Sequence, residues 1–156
     1  MARHMRNFIA VVAFPVLALL AVATPVVPVG QAFAQAVSSG SYAVTFEAIS
    51  NSCEEVGLRL TNGTLQLTRK GKMVEVDIPG VPSMKGKLRR GSTFRAEARQ
   101  ARAGAEGIRG RFSAAGRASD KRVQLVFVAE FYRGKKPLCT QSWDVIGTRQ
   151  PGTRRQ

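Results

Sequence analysis

Apolar and polar residues alternate in short runs along the chain from about residue 40 onwards. The first run, Ser41 to Ile49, places Tyr42, Val44 and Phe46 on one face and Thr45 on the other. A period of two is typical of a strand with one buried face. Similar runs follow, separated by residues that favour turns, and together they predict eight or nine short antiparallel strands.

Three features refine this prediction. The dipeptide Asn62-Gly63 is favoured in two-residue hairpin turns, and it lies between alternating runs at residues 56–60 and 64–69. The run from Val123 to Tyr132 is the most hydrophobic in the chain, and Glu130 within it shares the face of Gln124 and Tyr132, so we expect Glu130 on the outside. The last predicted strand, Cys139 to Arg149, carries the single Trp and one of only two Cys.

The positions of the two cysteines, Cys53 and Cys139, indicate which architecture the predicted sheet adopts. A meander of this many strands either curls into a barrel or folds over as a sandwich. In a closed meander the first and last strands are antiparallel neighbours, so Ile49 would lie beside Cys139, with Cys53 four residues further on. We therefore predict an all-β, up-and-down barrel closed by one disulfide, Cys53–Cys139.

The N-terminal segment has the pattern of a secretory signal peptide. Arg3 and Arg6 precede an apolar run from Phe8 to Val27, and small-x-small cleavage sites follow by Ala36. An uncleaved membrane anchor is the alternative, since the run is about long enough to span a bilayer. The cleavage sites favour a signal peptide at residues 1–36, a single barrel domain at 37–149 and a disordered tail at 150–156.

The predicted export and the net charge limit the classes of function to be expected. An even number of cysteines behind a signal peptide indicates a disulfide in the periplasm or outside the cell. Without Arg3 and Arg6 the chain has 22 Lys and Arg, 10 Asp and Glu and a net charge of +12, which favours anionic partners. His4 is the only histidine, so the exported chain has no Ser-His or Cys-His pair. We expect no enzymatic activity, no metal site and no cofactor.

The apolar face of the predicted strands contains both small and aromatic residues. The small ones are Ala48, Gly86, Ala96, Ala98, Gly110, Ala114 and Ala129. Either they let a narrow barrel close tightly or they leave a cavity lined by aromatic rings. The ligand-lining residues predicted for such a cavity are Tyr42, Phe46, Phe94, Phe112, Phe127 and Trp143.

The polar face of three consecutive strands is basic. The residues predicted to bind anions are Lys85, Lys87, Arg95, Arg99, Arg109 and Arg111. Arginine suits bidentate contacts to phosphate or carboxylate. The alternative is a solvated sheet face with an ion pair to Glu97. Export and the lack of interleaved aromatic residues disfavour nucleic acid as the partner.

The two ends of the barrel sequence resemble the calycins, the group that includes lipocalins and avidins. Calycins begin their first strand with Gly-x-Trp, and this Trp packs under an Arg near the end of the last strand. Here Gly40-Ser41-Tyr42 and Arg149 occupy these places, with Tyr replacing Trp. The resemblance implies an up-and-down barrel with ligand access at one mouth.

These patterns lead to two functional hypotheses. The first is a non-catalytic exported protein that holds a small apolar or amphipathic ligand inside the barrel. The second is an envelope-associated protein that binds anionic polymers, such as lipopolysaccharide or an acidic glycan, through the basic sheet face.

Overall fold

The computed structural model describes residues 37, 39–54, 56–102 and 107–151, and for residues 99–102 the backbone alone. The strands are β1 Gly40–Asn51, β2 Asn62–Lys70, β3 Met73–Asp77, β4 Met84–Leu88, β5 Thr93–Arg102, β6 Ile108–Ala118, β7 Arg122–Arg133 and β8 Lys136–Arg149. The described part of the chain thus has eight strands, within the predicted number. The predicted signal peptide and residues 152–156 of the predicted tail lie outside the described residues.

The sheet closes on itself as a ring of eight antiparallel strands. Each strand pairs with the next one in the sequence, and β8 pairs with β1 from Tyr42–Arg149 to Asn51–Gln141. Because the ring is closed, β1 and β8 do not leave an unpaired edge along their shared length. The predicted all-β meander and its closure are confirmed.

The predicted disulfide is confirmed. Cys53 and Cys139 are bonded, with their Cα atoms 5.1 Å apart and 86 residues apart in sequence. Ser52 follows β1 and reinforces the junction, because its backbone N–H donates to the carbonyl oxygen of Thr140 at 3.0 Å. The bond therefore joins the chain just after β1 to β8 at the point where the ring closes.

The hairpin predicted at Asn62-Gly63 is wrong. Both residues belong to β2, where they pair with Thr45 and Val44, and residues 52–54 and 56–61 are irregular instead of forming a strand. Leu58 belongs to this segment, and its backbone N–H donates to the buried side chain of Gln141 at 2.7 Å. Packing of this segment against the barrel end, together with this hydrogen bond, overrides the preference of Asn62-Gly63 for a hairpin turn.

The irregular segment covers one end of the barrel. Val56, Leu58 and Leu60 are partly buried and pack against the core. Gln141 holds the segment from within, since its amide nitrogen donates to Asn51 Oδ1 at 3.1 Å and to the Leu58 carbonyl oxygen at 3.3 Å. We call this end, which also carries Cys53–Cys139, the disulfide end.

The opposite end carries three short connections, and we call it the turn end. They lie at residues 70–72, 89–92 and 119–121, between β2 and β3, β4 and β5, and β6 and β7. In an up-and-down meander every second connection lies at the same end of the sheet, so residues far apart in sequence meet there. This property matters for the surface arginines described below.

The inward residues of all eight strands form one hydrophobic core. The small-residue prediction holds in part: Ala96, Ala98, Ala114 and Ala129 are buried, whereas Ala48 is exposed near the end of β1. A Cβ atom on Gly116 would overlap the backbone of Gln124 and Leu125 on β7. The absence of a side chain at Gly116, which was not among the predicted small residues, lets β6 approach β7 closely.

Tyr42 connects β1 to the turn end. It is completely buried, and its hydroxyl donates to the carbonyl oxygen of Ser119 at 2.8 Å. Burial raises the pKa of Tyr42, and the nearby Arg149 guanidinium offsets part of that rise. The hydrogen bond joins the start of β1 to the turn between β6 and β7.

The substitution Tyr42→Phe is expected to lower the free energy of unfolding by about 1 kcal/mol near neutral pH, through the lost hydrogen bond. Because the pKa of Tyr42 is higher in the folded state, its protonated hydroxyl contributes fully below the unfolded-state pKa of about 10. That contribution is lost as the pH rises through the folded-state pKa, so the difference between wild type and variant should shrink there. Urea unfolding of the wild type and the variant, at pH 8 and above pH 10, measures this difference in the free energy of unfolding. A difference that stays constant with pH would contradict this account.

Candidate functional site

All six predicted ligand-lining residues lie inside the barrel. Their exposed fractions range from 0% for Tyr42 and Phe127 to 7% for Phe46. Three ring contacts link the aromatic residues of β6, β7 and β8. The ring centroids are 6.4 Å apart for Phe112–Phe127, 5.4 Å for Phe127–Trp143 and 6.1 Å for Phe112–Phe131. Phe131, which the prediction omitted, belongs to the same cluster.

These contacts describe a packed cluster. Ring separations of this size are typical of aromatic pairs that pack against each other. The interior between β6, β7 and β8 is thus occupied by the side chains that were predicted to line a cavity. A ligand bound in the barrel stays a prediction, and the ring contacts favour a filled interior in this region.

The predicted basic residues lie on the outer surface. Lys85, Lys87, Arg95, Arg109 and Arg111 are exposed, whereas the side chain of Arg99 lies outside the described part of the structure. The predicted patch divides into two groups along the strands. Arg95 pairs with Ala115 on β6, and Arg111 is four residues before Ala115 on that strand, roughly 14 Å away at about 3.4 Å per residue.

The first group surrounds a hollow of about 480 Å³ on the outside of β4 and β5, which we call the β4–β5 hollow. Its lining residues are Lys85, Gly86, Lys87, Leu88, Arg89, Arg95 and Glu97. Lys87 and Arg95 are direct cross-strand partners, and Lys85 is the partner of Glu97. Four cations and one carboxylate therefore share this surface.

Gly86 brings the two strands close together at the hollow. A Cβ atom at this position would overlap the carbonyl oxygen of Arg95 and the Cα atom of Ala96. The absence of a side chain lets the β4 backbone approach β5. Lys85 and Lys87 flank Gly86 and point outwards, so the close approach brings them towards Arg95.

Two of the four cations around the hollow have carboxylate partners. Arg95 Nε lies 3.0 Å from Glu97 Oε1, and Lys85 Nζ lies 3.7 Å from Glu75 Oε1. The hydroxyl of Ser83 donates to Glu75 at 2.8 Å; this hydrogen bond, followed by the charge of Lys85, lowers the pKa of Glu75. The predicted alternative, an ion pair to Glu97, is thus present for Arg95.

The other two cations of the hollow, Lys87 and Arg89, are exposed and have no carboxylate partner among the described residues. Lys87 also faces Arg95 directly across the strands. Like charges in such a pair destabilise a sheet by a few tenths of a kcal/mol to about 1 kcal/mol. The hollow therefore concentrates positive charge at a cost to sheet stability.

In the second group, Arg111 contacts neighbouring side chains on β7. Arg111 lies 3.7 Å from Glu130 and 6.0 Å from the centre of the Tyr132 ring. The Tyr132 hydroxyl donates to Glu130 at 3.2 Å. Glu130 thus faces outwards, as its position in the alternating run indicated, and it neutralises part of this group.

A second hollow at the turn end contains arginines that the sequence prediction missed. It has a volume of about 470 Å³ and is lined by Arg90, Arg117 and Arg122 together with turn residues. These arginines flank two connections that lie side by side at the turn end because β5 pairs with β6. The alternation of turns in the sequence was the one signal that could have placed them together.

Two structural features are absent from the described residues. That part of the chain contains no group of three or more His, Cys, Asp or Glu residues placed to hold a metal ion. It also contains no helix of the length and apolarity needed to cross a membrane.

No family model, no characterised protein and no solved structure matches the chain.

Proposed function

We propose that the protein is a non-catalytic binding protein that holds anionic polymers of the cell envelope on its outer surface, at the β4–β5 hollow. The observation that carries this proposal is the convergence of Lys85, Lys87, Arg89 and Arg95 around one hollow that contains a single carboxylate. Lys87 and Arg89 are the principal contacts, because neither is engaged by a carboxylate in the described structure.

The physical basis of the binding is charge concentration on a rigid surface. Strands β4 and β5 fix the spacing of the cations, so the backbone loses little conformational entropy when an anion binds. Exposed cations attract anions over about a Debye length, and the attraction falls as salt is added. A linear polymer with repeated carboxylate or phosphate groups meets several of these cations at once.

The cellular setting of the proposal is the periplasm or the cell exterior, with residues 1–36 as a cleaved signal peptide. The Cys53–Cys139 disulfide is compatible with an oxidising compartment, where such bonds persist. The exported protein is expected to begin near residue 37. Intact-mass measurement of the protein recovered from the periplasm or medium checks this, and a mass that retains the first 36 residues would contradict it.

Polymer binding is expected to be strongly salt-dependent and to depend on the hollow. Lipopolysaccharide and an acidic glycan serve as probes in surface-binding measurements between about 50 and 500 mM NaCl. The double variant Lys87→Gln and Arg89→Gln is expected to lower the affinity about tenfold or more, since each charged contact contributes about 1.5–3 kcal/mol when fully made and less when exposed.

The matched control for this experiment is Lys135→Gln with Lys136→Gln. Lys135 lies between β7 and β8 and Lys136 begins β8, both at the disulfide end, and the substitution removes the same net charge. If the control weakens binding as much as the hollow variant does, net charge alone accounts for binding and the assignment of the hollow is wrong. Salt-insensitive binding would reject the proposal itself.

A second candidate function is the binding of a small apolar or amphipathic molecule inside the barrel. The observation that favours it is the inward position of all six predicted lining residues. The ring contacts around Phe127 count against it. A ligand held there would quench Trp143 fluorescence and bind equally well at low and high salt, opposite to the behaviour expected of the β4–β5 hollow.

The calycin-like arrangement of the barrel ends is a further part of the proposal. Tyr42 and Arg149 are cross-strand partners, and the Arg149 side chain lies against Gly40 and donates to the Ser39 carbonyl oxygen at 2.7 Å. This geometry supports the predicted pairing of a first-strand aromatic residue with a last-strand arginine. An experimental structure in which Arg149 lies away from Tyr42 would contradict it.

A further inference from the structure

The hollow at the turn end, which we call the arginine hollow, has a composition unlike that of the β4–β5 hollow. It lies between the connection from β4 to β5 and the connection from β6 to β7, and its volume is about 470 Å³. Arg90, Arg117 and Arg122 supply three guanidinium groups, and no lining residue carries a carboxylate. The other lining residues are Gly91, Ser92, Thr93, Ala118, Ser119 and Gln124.

The three arginines have no carboxylate partner within the described part of the chain. The nearest acid in sequence, Asp120, lies in the turn that precedes Arg122. Asp120 Oδ1 is 3.7 Å from an Arg149 nitrogen, so this carboxylate is engaged by β8. Positive charge in the arginine hollow is thus left uncompensated by the residues that line it.

Backbone hydrogen bonds hold both connections that carry the arginines. On one side, the Thr93 hydroxyl donates to the Arg90 carbonyl oxygen at 2.8 Å. On the other, the Ser119 backbone N–H donates to the Arg122 carbonyl oxygen at 2.8 Å, and the Arg122 backbone N–H donates to the Ser119 hydroxyl at 3.1 Å. The arginine backbones are therefore fixed before any ligand arrives.

One of these connections adopts an unusual backbone conformation. Gly91 and Ser92 both have positive φ, 70° and 61°, and among the described residues Ser92 is the only non-glycine with this property. Residues other than glycine adopt this conformation at an energetic cost, and such residues cluster at binding sites. Arg90 directly precedes these two residues and lines the hollow with them.

We propose that the arginine hollow is a binding site for a phosphate group. A phosphate monoester carries between one and two negative charges near neutral pH, and planar guanidinium groups bind its oxygens in pairs. This site goes beyond polymer binding at the β4–β5 hollow, because no lining residue carries a carboxylate that would compete with the ligand. The phosphate is either free inorganic phosphate or the terminal phosphate of a lipid headgroup.

The test uses the protein purified from an oxidising compartment, so that Cys53–Cys139 is formed. Inorganic phosphate is titrated by calorimetry, and vesicles of phosphatidylcholine with and without phosphatidic acid are tested by co-sedimentation. Saturable binding of inorganic phosphate identifies the free ion as a sufficient ligand. Binding to the phosphatidic acid vesicles alone identifies the headgroup, and binding to neither probe overturns the proposal.

The triple variant Arg90→Gln, Arg117→Gln and Arg122→Gln is expected to lower the affinity for the bound probe at least about tenfold. The matched control, Arg133→Gln with Lys135→Gln and Lys136→Gln, removes the same charge at the disulfide end and should change it less than about twofold. A comparable loss in the control overturns the proposal, since bulk charge then explains binding. Thermal unfolding of both variants confirms that each remains folded.

The Lys87→Gln and Arg89→Gln variant separates this proposal from polymer binding. It should retain phosphate binding within about twofold while losing polymer binding. If it loses phosphate binding and the triple arginine variant keeps it, the phosphate site is wrongly placed. If phosphate binding behaves as expected and polymers do not bind, the arginine hollow stands and polymer binding fails.

Discussion

Replacing both Cys53 and Cys139 with alanine is expected to lower the free energy of unfolding by about 4 kcal/mol. The bond connects residues 86 positions apart, and the chain-entropy estimate for a loop of this length is about 4–5 kcal/mol. The loss should appear as a decrease of more than about 10 °C in the melting temperature. It also removes the covalent link at the closure of β1 with β8.

Thermal unfolding with and without a reductant measures this effect. Reduction should destabilise the wild type and leave the double alanine variant unchanged, which separates the disulfide from other effects of the reductant. A variant that melts within about 2 °C of the wild type would show that pairing between β1 and β8 closes the barrel without covalent help.

The substitution Phe127→Ala is expected to lower the free energy of unfolding by about 3–5 kcal/mol, the usual range for truncation of a buried Phe. Phe127 is completely buried, and its ring contacts Phe112 on one side and Trp143 on the other. Its removal leaves a void at the centre of the aromatic cluster. Chemical denaturation followed by circular dichroism measures the change.

The neighbouring residue Val126 offers a matched control. It lies on the same strand, faces outwards and is 42% exposed, so Val126→Ala should change stability by less than about 1 kcal/mol. The size of the Phe127→Ala effect also distinguishes an interior filled by side chains from an interior that contains a cavity. A loss of about 2 kcal/mol or less indicates a side chain that borders an existing cavity, since only the transfer of the ring from water is then lost.

The strands and their order could be predicted because alternation is a local property. Each run of alternating residues shows which side chains turn inwards, and a closed sheet of short strands has few other ways to bury them. The Cys53–Cys139 bond followed from the same logic, since a closed meander brings the first and last strands together. Glu130 was placed outside by its position in the run, and it lies there beside Arg111.

The predictions that failed depended on contacts distant in sequence. Asn62-Gly63 has the local preference of a turn, but pairing with β1 extends β2 through both residues. The buried Gln141 side chain, 83 residues from Leu58, holds the irregular segment that replaces the hairpin. A hydrogen bond of this kind leaves no mark in the local pattern of polar and apolar residues.

The candidate sites show the same division. The basic face was predicted from the outward positions of Lys85, Lys87 and Arg95, but its separation from Arg111 required the strand register. Glu75 engages Lys85 across β3 and β4, whereas Glu97 engages Arg95 two residues away on the same strand, β5. Strand pairing therefore decided that Lys85 has a carboxylate partner, whereas the partner of Arg95 lies within its own strand.

The sequence by itself determined the strand-rich architecture, the inward and outward faces, the closing disulfide and the basic outer surface. These depend on residue type and a period of two, which are readable along the chain. The tertiary structure alone decided how the aromatic rings fill the space between β6, β7 and β8 and which arginines share a hollow. Both depend on distances between residues on different strands, and the pairing of neighbouring strands brings those residues together irrespective of their separation along the chain.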